Sequence, residues 1–168
     1  MRSDTEIRNA AAEDGAALAE IYNYYVDKTV VTFEEEPVSA ADMSARVAGV
    51  AAARLPWLVA QSSQGVCGFA YATSWKERVA YRYSVESTVY LEHSAVGHGL
   101  GTALYAALIA RLEECGCHAV IGGIALPNAA SVALHEKLGM RQVAHFPEVG
   151  FKFGRWVDVG YWQKTLPG

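Results

Sequence analysis

Basic clusters, long apolar runs and paired cysteines are missing from this chain, and each absence closes a class of function. Its 14 Lys and Arg against 18 Asp and Glu leave a net charge of −4, and no Lys/Arg cluster forms anywhere. The electrostatic footprint of a nucleic-acid surface is therefore lacking, and no such partner is expected. No apolar run approaches the roughly 18 residues of a membrane span. The opening MRSDTEIRNA has no apolar core of a secretory signal. A cytoplasmic protein without a membrane partner is expected. The three cysteines, Cys67, Cys115 and Cys117, are odd in number and sparse, which fits thiols in a reducing cytosol. Cys115-Gly116-Cys117-His118 resembles a metal cluster only superficially, because the spacing is not C-x-x-C and no second ligand pair exists, so no metal is expected. No Ser-His-Asp or Cys-His pattern is legible, which leaves covalent catalysis unsupported. Repeats, low-complexity tracts and linkers are also absent. A length of 168 residues then suits one domain spanning 1–168, large enough for a real core.

What is present concentrates between Val89 and Tyr105, VYLEHSAVGHGLGTALY. A strand-like run leads through a short loop into Gly97-His98-Gly99-Leu100-Gly101, and a helical pattern follows at once. Alternate glycines let the backbone turn tightly and approach a ligand without Cβ atoms in the way. The first turn of the helix then offers unpaired N–H groups and the positive end of its dipole to phosphate. A P-loop would need Lys-Ser/Thr after the last glycine, but Thr102-Ala103 follows Gly101. A dinucleotide fingerprint would need G-x-G-x-x-G after the first strand of a βαβ unit. The spacing here is G-x-G-x-G, and it lies mid-chain. The pyrophosphate loop of acetyl-coenzyme A-dependent N-acetyltransferases, commonly R/Q-x-x-G-x-G/A, fits at both glycines and departs at Val96. A plain strand-to-helix turn remains the alternative.

Periodicity organises the rest. Thr5 to Asn9 reads as a strand, and Asp14 to Asp27 as a helix with Leu18, Ile21, Tyr22 and Tyr25 at helical spacing. Lys28 to Pro37 is a loop. Ser39 to Asp42 has the form of a capping box that opens a second helix ending near Arg54. Strands follow at Trp57–Gln61, Val66–Thr73 and Tyr81–Leu91. A helix at Leu100–Glu114 carries a stripe of Leu104, Leu108 and Leu112. Ala119–Ala125 is an apolar strand. Asn128 caps a helix that runs to Leu138 and that Gly139 ends. Met140–Ala144 and Val157–Gln163 complete the sheet. The order predicts an α/β fold: a central, mixed, twisted sheet of about seven strands with four helices on both faces.

Alternation along the long strand sets Glu86 with Thr88 and Tyr90, opposite Val85, Ser87, Val89 and Leu91. A carboxylate in mid-strand is costly unless solvated or paired. It is either a salt-bridge partner of Arg78 or Arg82, or a general base whose pKa is raised by partial burial. His135 lies seven residues after Asn128 and on nearly the same helical face. It is either structural or a proton-transfer group. Trp75-Lys76-Glu77-Arg78, Tyr81 and Phe33 combine cations with aromatic groups, which suits either a solvated basic loop or an anion held against an apolar wall. His98 is within reach of a phosphate.

With these residues in place, the whole chain resembles the GNAT acetyltransferases, and within them the phosphinothricin and methionine-sulfoximine N-acetyltransferase group. The resembling segments are PWLVA (Pro56 to Ala60), WKERVAY (Trp75 to Tyr81), VESTVY (Val85 to Tyr90), GHGLGTALY (Gly97 to Tyr105), LPNAASVALHEKLGM (Leu126 to Met140) and GFKFGRWVDVGYWQ (Gly150 to Gln163). The resemblance implies direct transfer of acetyl from acetyl-CoA to the α-amine of a small amino acid. It gives Glu86 the role of base through water, and His135 that of the acid that protonates the departing thiolate. It assigns the pantetheine arm to the strand backbone at Val89, Tyr90 and Leu91, with Asn128 and Ser131 opposite. Gly97, His98, Gly99, Leu100, Gly101 and Thr102 would take the pyrophosphate, with Val96 weakening that grip rather than abolishing it. Phe33, Trp75, Lys76, Arg78 and Tyr81 would line the amino-acid pocket, and a homodimer is implied. Acetylation of another amine, such as a polyamine or a protein N-terminus, and a non-catalytic CoA-binding domain are the competing readings.

Overall fold

Residues 5–167 are described by a computed structural model of the chain. Three helix starts show how local chemistry fixes the elements. Helix α1 (Gly15–Lys28) buries Leu18, Ile21, Tyr22 and Val26, one stripe at helical spacing. Helix α2 (Ala40–Ala52) begins at Ser39, whose hydroxyl accepts from the Asp42 amide at 3.0 Å and donates to the Asp42 carboxylate at 2.6 Å. Helix α4 (Ala129–Lys137) begins at Asn128, whose side-chain oxygen accepts from the Ser131 amide at 3.1 Å. Helix α3 (Leu100–Glu114) starts differently, from Gly99 in the left-handed conformation and without a side-chain cap.

Seven strands form one sheet: β1 (Glu6–Asn9), β2 (Trp57–Ser62), β3 (Gly65–Ser74), β4 (Ser84–Leu91), β5 (Ala119–Leu126), β6 (Arg141–Lys152) and β7 (Arg155–Thr165). Their order is β1-β2-β3-β4-β5-β7-β6. Every neighbouring pair is antiparallel except β4 and β5, which are parallel. That pair is joined only at Ser84↔Ala119, Val85↔Val120 and Glu86↔Ile121. Beyond Glu86 the two strands part. β4 stays paired with β3 as far as Leu91, and β5 with β7 as far as Leu126. A notch therefore opens in the middle of the sheet, between two strands that are each held firmly from the other side.

The sheet separates two cores. Leu18, Val26, Met43 and Val47 from α1 and α2 pack on Trp57, Val59, Phe69 and Tyr90. On the other face Leu104, Leu108 and Leu112, all fully buried, pack on Ala70, Val85, Val120 and Trp162, with Leu134 of α4 and Leu138 just past its end alongside. The expected mixed sheet with helices on both faces is found.

Two strand boundaries differ from expectation. The strand expected from Tyr81 starts at Ser84, and Val79–Tyr81 forms a 3-10 turn. The Arg82 guanidinium lies over the Tyr83 ring at 4.6 Å and donates to the Val79 carbonyl at 3.2 Å, so this segment folds on itself in solvent. The strand expected to end at Ala144 runs on to Lys152 and pairs with a β7 that starts at Arg155. Pro147 reads as a strand breaker in sequence. Here it sits in a bulge between the Phe146↔Val159 and Gly150↔Val157 pairs, on an edge strand that needs no ladder bond from it.

Leu108 has no exposed surface, whereas Val79 is 76% exposed. Leu108→Ala should lower unfolding stability by about 2–5 kcal/mol in urea titrations with an unchanged slope. Val79→Ala should change it by no more than about 0.5 kcal/mol.

Candidate active site

The notch between β4 and β5 is the floor of a cleft of about 440 Å³. Glu86, Thr88, Val89 and Tyr90 line it from β4, Gly123 and Ala125 from β5, Asn128 and Ser131 from the start of α4, and His135 from its last turn. Val31 reaches it from the loop between α1 and α2. Past Glu86 the β4 backbone has no strand on this side, so its amides and carbonyls face the cleft. An extended amide chain is the natural occupant of such an edge.

Glu86 projects from β4 on the α1 side, opposite Thr73 of β3. Burial pushes its carboxyl pKa upward, and the Lys76 charge opposes this in part. Among the described residues no ion pair joins Glu86 to Arg78 or Arg82, so the salt-bridge alternative is not realised. A half-buried carboxylate facing an open cleft is poised to accept a proton.

His135 is 4% exposed and meets the cleft from the opposite face of the sheet. Its Nδ1 lies 2.7 Å from the Ser131 carbonyl, which can only accept. Nδ1 therefore carries the hydrogen, and in the neutral ring Nε2 is an acceptor. Burial lowers its pKa, which keeps the ring neutral. The ring packs edge-on against Tyr105, with centroids 5.0 Å apart. A side chain at Gly122 of β5 would collide with Nε2, so the approach of α4 to the sheet depends on that glycine. The Tyr105 hydroxyl is 2.6 Å from Ser87 Oγ, which also lies 3.3 Å from the Ile121 carbonyl. Burial, the largest influence, pushes the Tyr105 pKa up to about 12, so it is a neutral phenol.

The glycine loop lies at the far end of β4. Gly97 and Gly99 have φ of 88° and 79°, a region L side chains rarely adopt. With no side-chain cap on α3, the amides of Leu100, Gly101 and Thr102 keep the free N–H groups of a helix start. A groove of about 650 Å³ beside them is lined by Cys67, Glu92, Ser94, His98 and Leu100. Free amides at a helix start are chemically suited to an anion such as a pyrophosphate. Leu91 stands between loop and cleft, and its carbonyl accepts from the Tyr25 hydroxyl at 2.6 Å. Val96 is half exposed beside the loop and brings no charge to it.

The residues expected to hold the acceptor, Phe33, Trp75, Lys76, Arg78 and Tyr81, all lie outside the lining of the cleft between β4 and β5. Lys76 Nζ lies 4.8 Å above the Trp75 ring, and Trp75 meets Tyr161 edge-on at 5.5 Å. Phe33 rests on Gly150 of β6. Arg78 and Tyr81 sit on the exposed turn before β4 and do not line the cleft. Several residues in or next to the site escaped the sequence reading. Ser87 and Tyr105 form a buried polar pair on a face that looked apolar. A serine alternating with valines, and a tyrosine within a leucine stripe, were the available signals. Tyr161 pairs with Gly123, and both burial and the Glu86 charge raise its pKa. Nothing in the spacing of β7 marks it.

Among the described residues no group of three or more His, Cys, Asp or Glu side chains could hold a metal ion. Nor is any helix among them long and apolar enough to cross a membrane.

Comparison with known proteins fits this geometry. The chain is 42% identical over 165 residues to a phosphinothricin N-acetyltransferase of Streptomyces viridochromogenes, covering 98% of this chain and 90% of the relative. It is 39% identical over 163 residues to an L-methionine sulfoximine/L-methionine sulfone acetyltransferase of Salmonella typhimurium, covering 95% and 94%. An acetyltransferase structure from Salmonella typhimurium, solved with its cofactor acetyl-CoA, superposes with a TM-score of 0.95 at 36% identity, covering 98% of this chain and 95% of that one. The family model of the acetyltransferase (GNAT) domain matches residues 5–141. A parted pair of parallel strands, a glycine loop at a helix start and this likeness over nearly the full length place the chain in the GNAT acetyltransferase family, as an acyltransferase.

Proposed function

We propose that the chain transfers the acetyl group of acetyl-CoA to the α-amine of a small amino acid or analogue, with phosphinothricin, methionine sulfoximine and methionine sulfone as the acceptors to test first. The observation that carries this reading is Glu86, a half-buried carboxylate of raised pKa at the point where β4 and β5 part. The residues fit acetyl-CoA along one line. The amides of Gly97 to Thr102 offer donors for the pyrophosphate, and the open β4 edge at Val89 to Leu91 suits the pantetheine amides. Asn128 and Ser131 stand across the cleft from that edge. When bound, acetyl-CoA supplies acetyl as a thioester. Glu86 takes a proton from the acceptor ammonium through a bridging water, which frees the nitrogen lone pair to attack. His135 donates at Nε2 only as the imidazolium, the form burial keeps scarce. A thiol pKa near ~8.5 asks little of that donor. His135 therefore contributes less than Glu86.

Trp75, Lys76 and Phe33 supply the wall and a cation for the acceptor, with Arg78 and Tyr81 on the neighbouring turn. The side chains of Phe151, Phe153 and Trp156 are 53%, 59% and 61% exposed on the β6–β7 hairpin, an apolar face suited to a second copy of the chain. Three cysteines with no disulfide among the described residues are compatible with a cytoplasmic setting, where removal of toxic amino-acid analogues would take place.

Thiol release from acetyl-CoA, measured against the three analogues, common amino acids, polyamines and short peptides, tests the reading. Saturable turnover with the analogues alone supports it. Turnover confined to peptides or polyamines would keep the chemistry and discard the acceptor class, and silence throughout would leave a CoA-binding domain. Glu86→Gln should retain acetyl-CoA binding while turnover falls roughly 10²-fold or more. The same variant should gain stability at neutral pH. A folded-state pKa raised by burial favours the protonated carboxyl, so the parent is penalised once pH passes the ordinary carboxylate range. The gain should vanish below that range. Trp156→Glu should convert a dimer to a monomer in sedimentation velocity, and a parent that is monomeric at every concentration would remove the dimer.

A further inference from the structure

Lys152, on β6, has no exposed surface. Burying an ammonium is costly unless its protons are accepted and its charge is balanced. Here Nζ donates to the Val26 carbonyl at 2.7 Å and to the Thr32 carbonyl at 2.8 Å, and lies 5.0 Å from the centre of the Phe153 ring. Val26 lies in the last turn of α1, where carbonyls lack helical partners and the helix dipole is negative. Burial, the largest influence, lowers the Lys152 pKa, and the charges of Glu35, Asp27 and Glu34 oppose this in part. This cation is held for a reason that the acetyl-transfer scheme does not use.

The two carbonyls it joins flank the start of the loop at 29–38, and that loop carries Val31 and Phe33. Val31 lines the cleft with Glu86 and Tyr90. The outer edge of the Phe33 ring rests against Gly150, where any side chain would collide with it. Other ties of the loop run to its flanking helices and to Tyr90 of β4, which meets the Thr32 side chain. Thr32 Oγ1 bonds the Tyr22 hydroxyl at 2.7 Å, and Glu34 pairs with Arg46 of α2 at 2.7 and 3.0 Å. Lys152 and Gly150 act from the far edge of the sheet. Helix α1 packs over β3 and β4, while β6 is the strand beyond β5 and β7. A loop tied to both must pass over the region where β4 and β5 part.

We propose that Lys152 is a positioning residue for the amine acceptor: by tying the end of α1 and residue 32 to β6, it holds the loop across the acceptor side of the cleft and sets affinity for the amino acid without touching either substrate. The inference rests on the functional reading above. It separates the two substrates, because the acetyl-CoA surfaces lie on β4, α3 and α4, and Lys152 bonds none of them.

The test is steady-state kinetics of Lys152→Met, Lys152→Arg and Gly150→Ala with L-methionine sulfone and acetyl-CoA, alongside amide hydrogen exchange. Lys152→Met should raise the KM for the sulfone about tenfold or more and leave that for acetyl-CoA within about twofold. Lys152→Arg, which keeps a donor cation, should recover part of the difference. Gly150→Ala unseats Phe33 but keeps the ammonium, and should give the same selective rise even if Lys152→Met fails to fold. Exchange should quicken in residues 29–38 of Lys152→Met, or of Lys152→Arg if the former is unstable, and not along β3 and β4. Equal rises in both KM values, an unchanged sulfone KM in Gly150→Ala, or unaltered exchange in the loop would overturn the inference while the functional reading stands. A folded parent that acetylates no amino acid would overturn both.

Discussion

The structure depends on the separation of two parallel strands after three paired residues. Between β4 and β5 the ladder stops at Glu86, although both strands continue. Unpaired backbone inside a sheet is costly when buried, and it is tolerated here because the gap opens to solvent and to whatever lies in it. Each strand keeps its other neighbour, so the gap has rigid walls: β4 is held by β3, and β5 by β7. The core on the α3 and α4 face reinforces this, because it joins Ala70 and Val85 on one side of the gap to Val120, Ile124 and Trp162 on the other. A site made from strand edges and a helix start is more sharply positioned than one made from loops alone.

Two titratable groups meet the gap from opposite faces, and their surroundings push them in opposite directions. Burial raises the pKa of Glu86 and lowers that of His135, so desolvation disfavours charge on both. The result is a carboxylate that is more easily protonated than usual and an imidazole that is harder to protonate. Lys76 restrains the first of these shifts. The buried Ser87–Tyr105 pair belongs to the His135 side, where it supplies polar atoms within an otherwise apolar core.

Much of this was legible in the sequence because it depends on local chemistry. The Ser39 and Asn128 caps, the leucine stripe of α3 and the glycine loop are each written in a few adjacent residues, and they appeared where expected. The alternation that set Glu86 apart from Val85 and Ser87 also held. The β6–β7 hairpin was cut short because its exposed edge strand lacks a buried face to impose a period, and Pro147 imitates an end. Tyr161, Val31 and Lys152 were invisible for a different reason. Their places follow from pairings between segments far apart in the chain, such as Gly123↔Tyr161, and no spacing within one segment encodes them. The exposed position of Arg78 and Tyr81 likewise follows from a turn that a run of aromatic and basic residues does not announce.

The bulge in β6 also bears on how this protein could change length. Between the Phe146↔Val159 and Gly150↔Val157 pairs, β6 spends four residue steps where β7 spends two. Strand faces alternate, so a single insertion in a regular stretch would turn Lys152 out to solvent and Phe151 inward. At 147–149 the chain has left the ladder, and an added or lost residue could be absorbed before Gly150 re-enters it. The bulge therefore acts as a length buffer: it insulates the inward-facing half of β6, and the loop that half holds, from insertions and deletions at an exposed edge.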